Sequence, residues 1–157
     1  SDGRSDIQRL IDVVGDPGVA GQYLVTTSLQ GQVTTTDLTT ERVVWSEEAS
    51  STNSAEVSGD KVFVSTADGK LKAYNLATGE LFWQNEELLN RQLSNPVMLG
   101  QTLVVGDLDG VIHLIDPNTG KLIGRAKTSG EVRSLRVIDN QLYVATRKGA
   151  LSIWQNR

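Results

Sequence analysis

A pattern of about forty residues occurs four times in this 157-residue chain and constrains its fold more than any other feature. Each copy has two short apolar runs around a turn that contains glycine. The turn glycines are Gly31, Gly69, Gly110 and Gly149, at steps of 38, 41 and 39 residues. Two such runs predict a β-hairpin, because glycine adopts the positive φ of the turn without a steric penalty. A period near forty with several strands per copy predicts a β-propeller.

Each copy is expected to form one blade of four antiparallel strands, which makes the chain all-β. The fourth copy stops after its third strand, so only three strands are expected there. The N-terminal segment is charged and interrupted by glycine and proline, and we expect it to be a connector and not a strand. Four blades of this kind rarely close alone, so the chain is expected to be the C-terminal part of a longer propeller. The predicted limits are 1–18 for the inter-blade segment and 19–49, 52–88, 95–128 and 132–157 for the blades.

Two tryptophans occupy the same place in successive copies. Trp45 and Trp83 follow the third strand of copies one and two, where copy three has Gly124. A large ring at this position can pack between neighbouring blades. The arrangement resembles the PQQ-like repeat of quinoproteins, in which such tryptophans dock one blade on the next. We therefore expect a structural role for both residues and no cofactor site.

Few residues in the sequence suggest a catalytic, cofactor-binding or metal-binding role. His113 is the only histidine and lies in the middle of a predicted strand, so it is expected to be structural. Asp68, Asp107 and Asp109 lie near turns and are interpreted as turn formers. No nucleophile elbow, phosphate loop or metal-ligand spacing is present in the sequence. The sequence therefore predicts no catalytic residue, no cofactor and no metal site.

The composition of the chain argues against several further kinds of partner and site. A net charge of −4 argues against a nucleic-acid partner, which needs a basic face. The chain has no cysteine, so it has no disulfide and no thiolate zinc site. No apolar run approaches the roughly 20 residues that a membrane-spanning helix needs.

Three stretches resemble one particular family. DIQRLIDV at the N-terminus, LLNRQLSNPV from Leu88 and VVGDLDGVIHLID from Val104 are similar to segments of the BamB family of outer-membrane assembly lipoproteins. The resemblance implies an eight-bladed ring at the periplasmic face of the outer membrane. It implies attachment through a lipidated cysteine, which is absent from this sequence. It also implies a non-enzymatic scaffold that binds the POTRA domains of BamA, with unfolded outer-membrane proteins as a further class of partner.

The resemblance also suggests a partner-binding segment. Part of the family's binding surface corresponds to residues 7–14, where Asp12 matches the first acidic position and Arg9 lies in the same segment. Val14 stands where a second acid is often found, so half of that electrostatic contact is missing here. The other part of the family's surface corresponds to sequence upstream of Ser1.

Two other functions share the PQQ-like repeat. One is the ectodomain of a ligand sensor, which the fold alone does not exclude. The other is a quinoprotein dehydrogenase, which needs converging acidic and amide groups around calcium and in many cases a vicinal disulfide. The absence of cysteine and of a converging cluster in the sequence disfavours the dehydrogenase.

Overall fold

The computed structural model describes residues 13–51 and 53–155, with side chains from residue 17 onward. All regular elements in these ranges are β-strands. They form antiparallel sheets in which the strand order follows the sequence order. Blade 1 has β1 (Val13–Ala20), β2 (Tyr23–Ser28), β3 (Gln32–Asp37) and β4 (Arg42–Glu48); blade 2 has β5 (Glu56–Ser58), β6 (Lys61–Ser65), β7 (Leu71–Asn75) and β8 (Leu81–Asn85); blade 3 has β9 (Val97–Leu99), β10 (Thr102–Gly106), β11 (Val111–Ile115) and β12 (Leu122–Lys127); blade 4 has β13 (Val132–Ile138), β14 (Gln141–Thr146) and β15 (Leu151–Gln155).

The repeat therefore gives the predicted architecture. Three described sheets have four strands and the last has three, so the prediction of four blades with an incomplete fourth is confirmed. The predicted hairpin glycines all have positive φ, from +80° at Gly31 to +95° at Gly69. A ring of more than four blades stays a prediction.

The N-terminal connector is shorter than the sequence suggested. The structure begins the first strand at Val13, inside the segment that was expected to be irregular up to Gly18. The strand tolerates its glycines and Pro17 because its pairing with β2 shifts register between Val14 and Gly18. It also lies at the edge of its sheet, where proline removes no hydrogen bond needed by a further strand.

Successive blades pack face to face, and the side chains alternate between two interfaces. In β6, Val62 and Val64 belong to the core shared with blade 1, whereas Phe63 belongs to the core shared with blade 3. This alternation is what period-2 geometry produces when both faces of a sheet are covered. A third core joins Val104 of blade 3 to Leu142 of blade 4. Three hydrophobic cores thus hold the four blades in series.

Connectors between blades lie against the hairpins of the blade that follows. The amide of Ala67 donates to the carbonyl of Ser50, and the amide of Leu108 donates to that of Arg91, at 2.8 and 2.9 Å. Each bond joins a connector to the tip of the hairpin between the second and third strands. The hairpin tips at Ala67 and Leu108 and the connectors at Ser50 and Arg91 lie at one end of the molecule, which we call the connector end.

The first strand of each blade lines a central cavity. The cavity has a volume of about 540 Å³, and residues from all four first strands border it. Asn95 ties two blades together beside it. Its amide nitrogen donates to the carbonyl of Leu135 at 2.9 Å, and its amide oxygen accepts the Leu135 N–H at 3.0 Å. One side chain thus bonds both main-chain groups of a residue in the next blade.

Candidate functional site

The first docking tryptophan bonds the turn of the following blade. Trp45 lies in β4 and is 8 % exposed. Its indole nitrogen donates to the carbonyl of Leu76 at 2.7 Å, and its ring lies 5.7 Å from that of Tyr74. A Cβ placed on Gly79 would lie 2.8 Å from the Trp45 ring. The turn therefore needs glycine for two reasons, its φ of +76° and the indole above it.

Trp83 repeats this arrangement one blade later. Its indole nitrogen donates to the carbonyl of Pro117 at 2.8 Å, and a Cβ on Gly120 would overlap the ring. Gly120 has a φ of +78°. The same ring packs against Phe63 at 6.0 Å. The structure thus places Trp45 and Trp83 at equivalent joints between blades.

The third copy departs from this arrangement. Gly124 takes the tryptophan position, and a Cβ there would lie 3.3 Å from the side chain of Leu114. In blade 1 the turn position of Gly79 and Gly120 is Glu41, which has a φ of +59° and is exposed. No described tryptophan packs on Glu41, so this turn has no steric requirement for glycine.

A buried polar cluster lies beside the joint between blades 2 and 3. Asp107 and His113 are both 0 % exposed, and their Oδ2 and Nε2 atoms are 2.8 Å apart. Arg91, from the connector after blade 2, lies 3.3 Å from the same oxygen. The other oxygen of Asp107 accepts the amides of Asp109 and Val111 at 2.9 and 3.0 Å. One carboxylate therefore joins the hairpin of blade 3 to the preceding connector.

The protonation of this pair follows from its surroundings. Burial would raise the pKa of Asp107, but the hydrogen bonds from His113 and Val111 outweigh it and hold that pKa below its usual value. Burial lowers the pKa of His113, and together with the positive charges of Arg91 and Arg125 it outweighs the raising effect of Asp107. His113 is therefore neutral at pH 7 and donates its Nε2 proton to the carboxylate. Its Nδ1 atom is buried without a hydrogen-bond partner.

Asp107 has more contacts than the sequence indicated. Asp68 and Asp109 are exposed turn residues, as expected, but Asp107 is buried and holds His113 and Arg91. Its sequence position corresponds to Thr66 and Thr146, whose hydroxyls also accept the amide four residues later. The contact with His113 could have been inferred from the six-residue spacing, since the next strand of a hairpin brings that residue back beside Asp107.

The predicted partner-binding residues lie at the beginning of the chain. Arg9 and Asp12 lie outside the described residues. Val14 is in β1, and its main chain pairs with Thr27. The preceding residue, Val13, pairs with Ser28, next to the β2–β3 hairpin. Val13 and Val14 therefore lie at the connector end of blade 1.

The central cavity combines polar and apolar groups. Glu56 of β5 borders it and accepts the amide of Met98 at 2.6 Å, and burial raises the pKa of this carboxyl. Arg136 and Tyr143 border it on the side of blade 4. Within residues 13–51 and 53–155, no three acidic or histidine side chains form a group that could hold a metal ion. The same ranges contain no helix long and apolar enough to cross a membrane.

These features define the class of protein as a β-propeller built from PQQ-like repeats. Comparison with known proteins narrows this class. The family model described as outer membrane protein assembly factor BamB matches residues 3–156. The chain belongs to this family.

Relatives named outer membrane protein assembly factor BamB match nearly the whole chain. The protein of Taylorella asinigenitalis is 35% identical over 96% of this chain and 41% of its own length. That of Marinobacter adhaerens is 31% identical over 98% of this chain and 40% of its own. This chain thus spans about two fifths of the length of these relatives.

Solved structures show the same fold. The crystal structure of BamB from Moraxella catarrhalis is 40% identical, with a TM-score of 0.86 over 90% of this chain and 43% of that one. The computationally designed protein Ika4 is 18% identical, with a TM-score of 0.79 over 92% of this chain and 91% of that one. The designed protein supports the fold alone.

Proposed function

We propose that this chain is part of a non-enzymatic scaffold in the machinery that assembles β-barrel proteins into the outer membrane. The observation that carries the proposal is membership of the BamB family over residues 3–156. The relatives are named as assembly factors. The proposed location is the periplasmic face of the outer membrane, with attachment through a lipid anchor on a longer protein.

The proposed partner is the set of POTRA domains of BamA, with unfolded outer-membrane proteins as a second class of partner. The proposed contact is the segment 7–14, with Asp12 at its centre and Arg9 and Val14 beside it. Its position supports this role, because Val13 and Val14 enter blade 1 at the connector end. Main-chain groups at this end are already bonded between hairpins and connectors, which gives a preorganised surface.

The charge of Asp12 determines how the proposed binding should depend on salt. Asp12 contributes a single carboxylate to the proposed contact, so we expect it to act mainly on the association rate and its effect to be screened by salt. The surface of a POTRA domain that receives it must then carry basic side chains or amide donors. A ligand-sensing function would instead use the central cavity beside Glu56 and Arg136.

One titration separates these functions. Isolated POTRA domains are added to the isotope-labelled chain at low and moderate salt while its amide resonances are recorded. We expect shifts at residues 7–14 and at the connector end, with weaker binding at the higher salt. Shifts confined to residues around the cavity, or no shifts at all, would contradict the proposed contact. A parallel titration with the POTRA domains of reversed surface charge serves as the control.

A further inference from the structure

The connector between blades 2 and 3 is fixed between two hairpin tips. On one side the amide of Asn90 donates to the carbonyl of Asp68 in blade 2, at 2.9 Å. On the other side the carbonyl of Arg91 accepts the amide of Leu108 in blade 3, and the Arg91 side chain reaches the buried carboxylate of Asp107. Blades 2 and 3 each have four strands and pack against a blade on both sides, so neither end of the chain shapes this connector.

The conformation of this connector directs one leucine outward. Leu88 and Leu93 are both buried in the core between blades 2 and 3. Asn90 and Gln92 have positive φ, +65° and +52°. Residues other than glycine keep this conformation only when their surroundings hold them in it. The main chain is therefore fixed on both sides of Leu89, whose side chain is 41 % exposed.

The repeat does not require a leucine at this place. Leu89 follows a buried residue beside the hairpin tip of blade 2, and the corresponding places in the other connectors are Ser50 and Ser129, both exposed. The tip of blade 3 carries a second leucine, Leu108, which is 38 % exposed. The other blades have at that tip position Leu29, Ala67 and Arg147. Packing within the propeller therefore does not explain why two leucines lie together on this surface.

The surface around the two leucines is negatively charged. The tips of blades 2 and 3 and the connector between them contribute four exposed carboxylates, those of Asp68, Glu86, Glu87 and Asp109. Lys70 lies 3.6 Å from Asp68 and 3.7 Å from Glu86, so four carboxylates against one ammonium leave a charge of −3. Arg91 is already paired with Asp107. An apolar centre with an acidic rim is complementary to an apolar patch bordered by basic side chains.

We propose that Leu89 and Leu108 form a second contact for the POTRA domains, which we call the leucine contact. This inference rests on the proposed function. The leucine contact receives an apolar patch bordered by basic side chains, so it requires the same sign of charge on the partner as Asp12 does. Both contacts belong to the connector end, with the first beside blade 1 and the second at the joint of blades 2 and 3. The fixed connector presents Leu89 without a further ordering cost.

The repeat itself supplies variants that should keep the fold. Leu89→Ser introduces the residue type found in the neighbouring connectors, and Leu108→Ala introduces the one found in blade 2. The matched control is Leu38→Ser, because Leu38 is also 41 % exposed but lies between β3 and β4 at the opposite end of blade 1. Circular dichroism and thermal unfolding of each variant confirm that the fold is retained.

Calorimetric titration with isolated POTRA domains at low and moderate salt tests the leucine contact. Leu89→Ser and Leu108→Ala should each weaken binding about three- to eightfold, since each removes a partly exposed leucine that the partner would bury. The loss should be the same at both salt concentrations, because an apolar contact is not screened. The effect of Asp12→Arg should instead become smaller at the higher salt. Leu38→Ser should bind as the wild-type chain does.

The outcome separates this inference from the proposed function. If Asp12→Arg weakens binding and the two leucine variants bind like the wild type, the leucine contact is wrong and the proposed function stands. Equal weakening by Leu38→Ser and Leu89→Ser would also overturn the leucine contact, since the effect would not depend on the connector end. If the wild-type chain does not bind the POTRA domains, both proposals fail.

Discussion

The indole nitrogen of Trp83 donates a hydrogen bond to the carbonyl of Pro117, 2.8 Å away in the following blade. Trp45 makes the same bond to Leu76, one blade earlier, at 2.7 Å. In both cases the ring also covers a glycine of positive φ. Each joint therefore combines a buried aromatic surface, a hydrogen bond and a turn that leaves room for the ring.

Alanine at Gly120 should destabilise the chain more than alanine at Gly149. The two glycines have nearly the same φ, +78° and +81°, so the backbone strain is matched at roughly 1 kcal/mol. A Cβ at Gly120 meets the Trp83 ring, whereas a Cβ at Gly149 meets nothing within 4 Å. Chemical denaturation of both variants measures the difference. Equal losses would mean that the ring moves aside without cost.

Truncating the first docking tryptophan should cost more than truncating the last tryptophan of the chain. Trp45→Ala removes a buried ring and its bond to the next blade, for an expected loss of about 3–5 kcal/mol. Trp154 is only partly buried, and its indole bonds Ser152 of its own strand at 3.1 Å. Trp154→Ala should therefore cost less. Similar losses in thermal or chemical unfolding would contradict the docking role of Trp45.

Stability should decrease below pH 6.5 because of His113. Its folded-state pKa lies below the ordinary value of 6.5, so in this range the unfolded chain binds the proton more readily. Lowering the pH from 6.5 towards the folded-state pKa therefore favours unfolding, by at most about 1.4 kcal/mol per pH unit. Asp107 contributes separately and at lower pH, since its pKa lies below 3.8.

The variant His113→Leu isolates this contribution. It should be less stable than wild type at pH 7.5, by about 1–3 kcal/mol, because Asp107 loses a buried hydrogen bond. The gap should narrow between pH 6.5 and pH 5, since only the wild type has the histidine that titrates. Denaturation curves at several pH values provide the comparison. Parallel pH profiles would show that folding does not lower the pKa of His113.

Asn95→Ala should loosen blade 4 selectively. The variant removes both hydrogen bonds to Leu135 while leaving the hydrophobic core between blades 3 and 4 in place. Hydrogen exchange should become faster in β13 and β14 and remain unchanged in blade 1. The matched change is Asn53→Ala, which removes a bond to the carbonyl of Leu93 and should affect the joint of blades 2 and 3. If hydrogen exchange became faster throughout the chain in both variants, these hydrogen bonds would not act on single joints between blades.

The repeat made most of this architecture predictable. The turn glycines and their spacing were sufficient to predict the hairpins, because positive φ and the alternation of side chains along a strand are local properties. The start of β1 was missed, since Gly15, Pro17 and Gly18 argue against a strand unless a register shift is known. The contact between Arg91 and Asp107 was missed too, because Arg91 reaches the carboxylate from the connector after blade 2 through packing that spacing does not encode.

The most direct test of the proposed function is a charge series at Asp12, titrated against isolated POTRA domains at low salt. Asp12→Asn removes an attraction, whereas Asp12→Arg adds a repulsion, so the arginine variant should bind about tenfold more weakly or worse. Val14→Asp restores the second acidic position and should strengthen binding. If Asp12→Arg binds as tightly as the wild-type chain, segment 7–14 is only a connector and the account of its function is wrong.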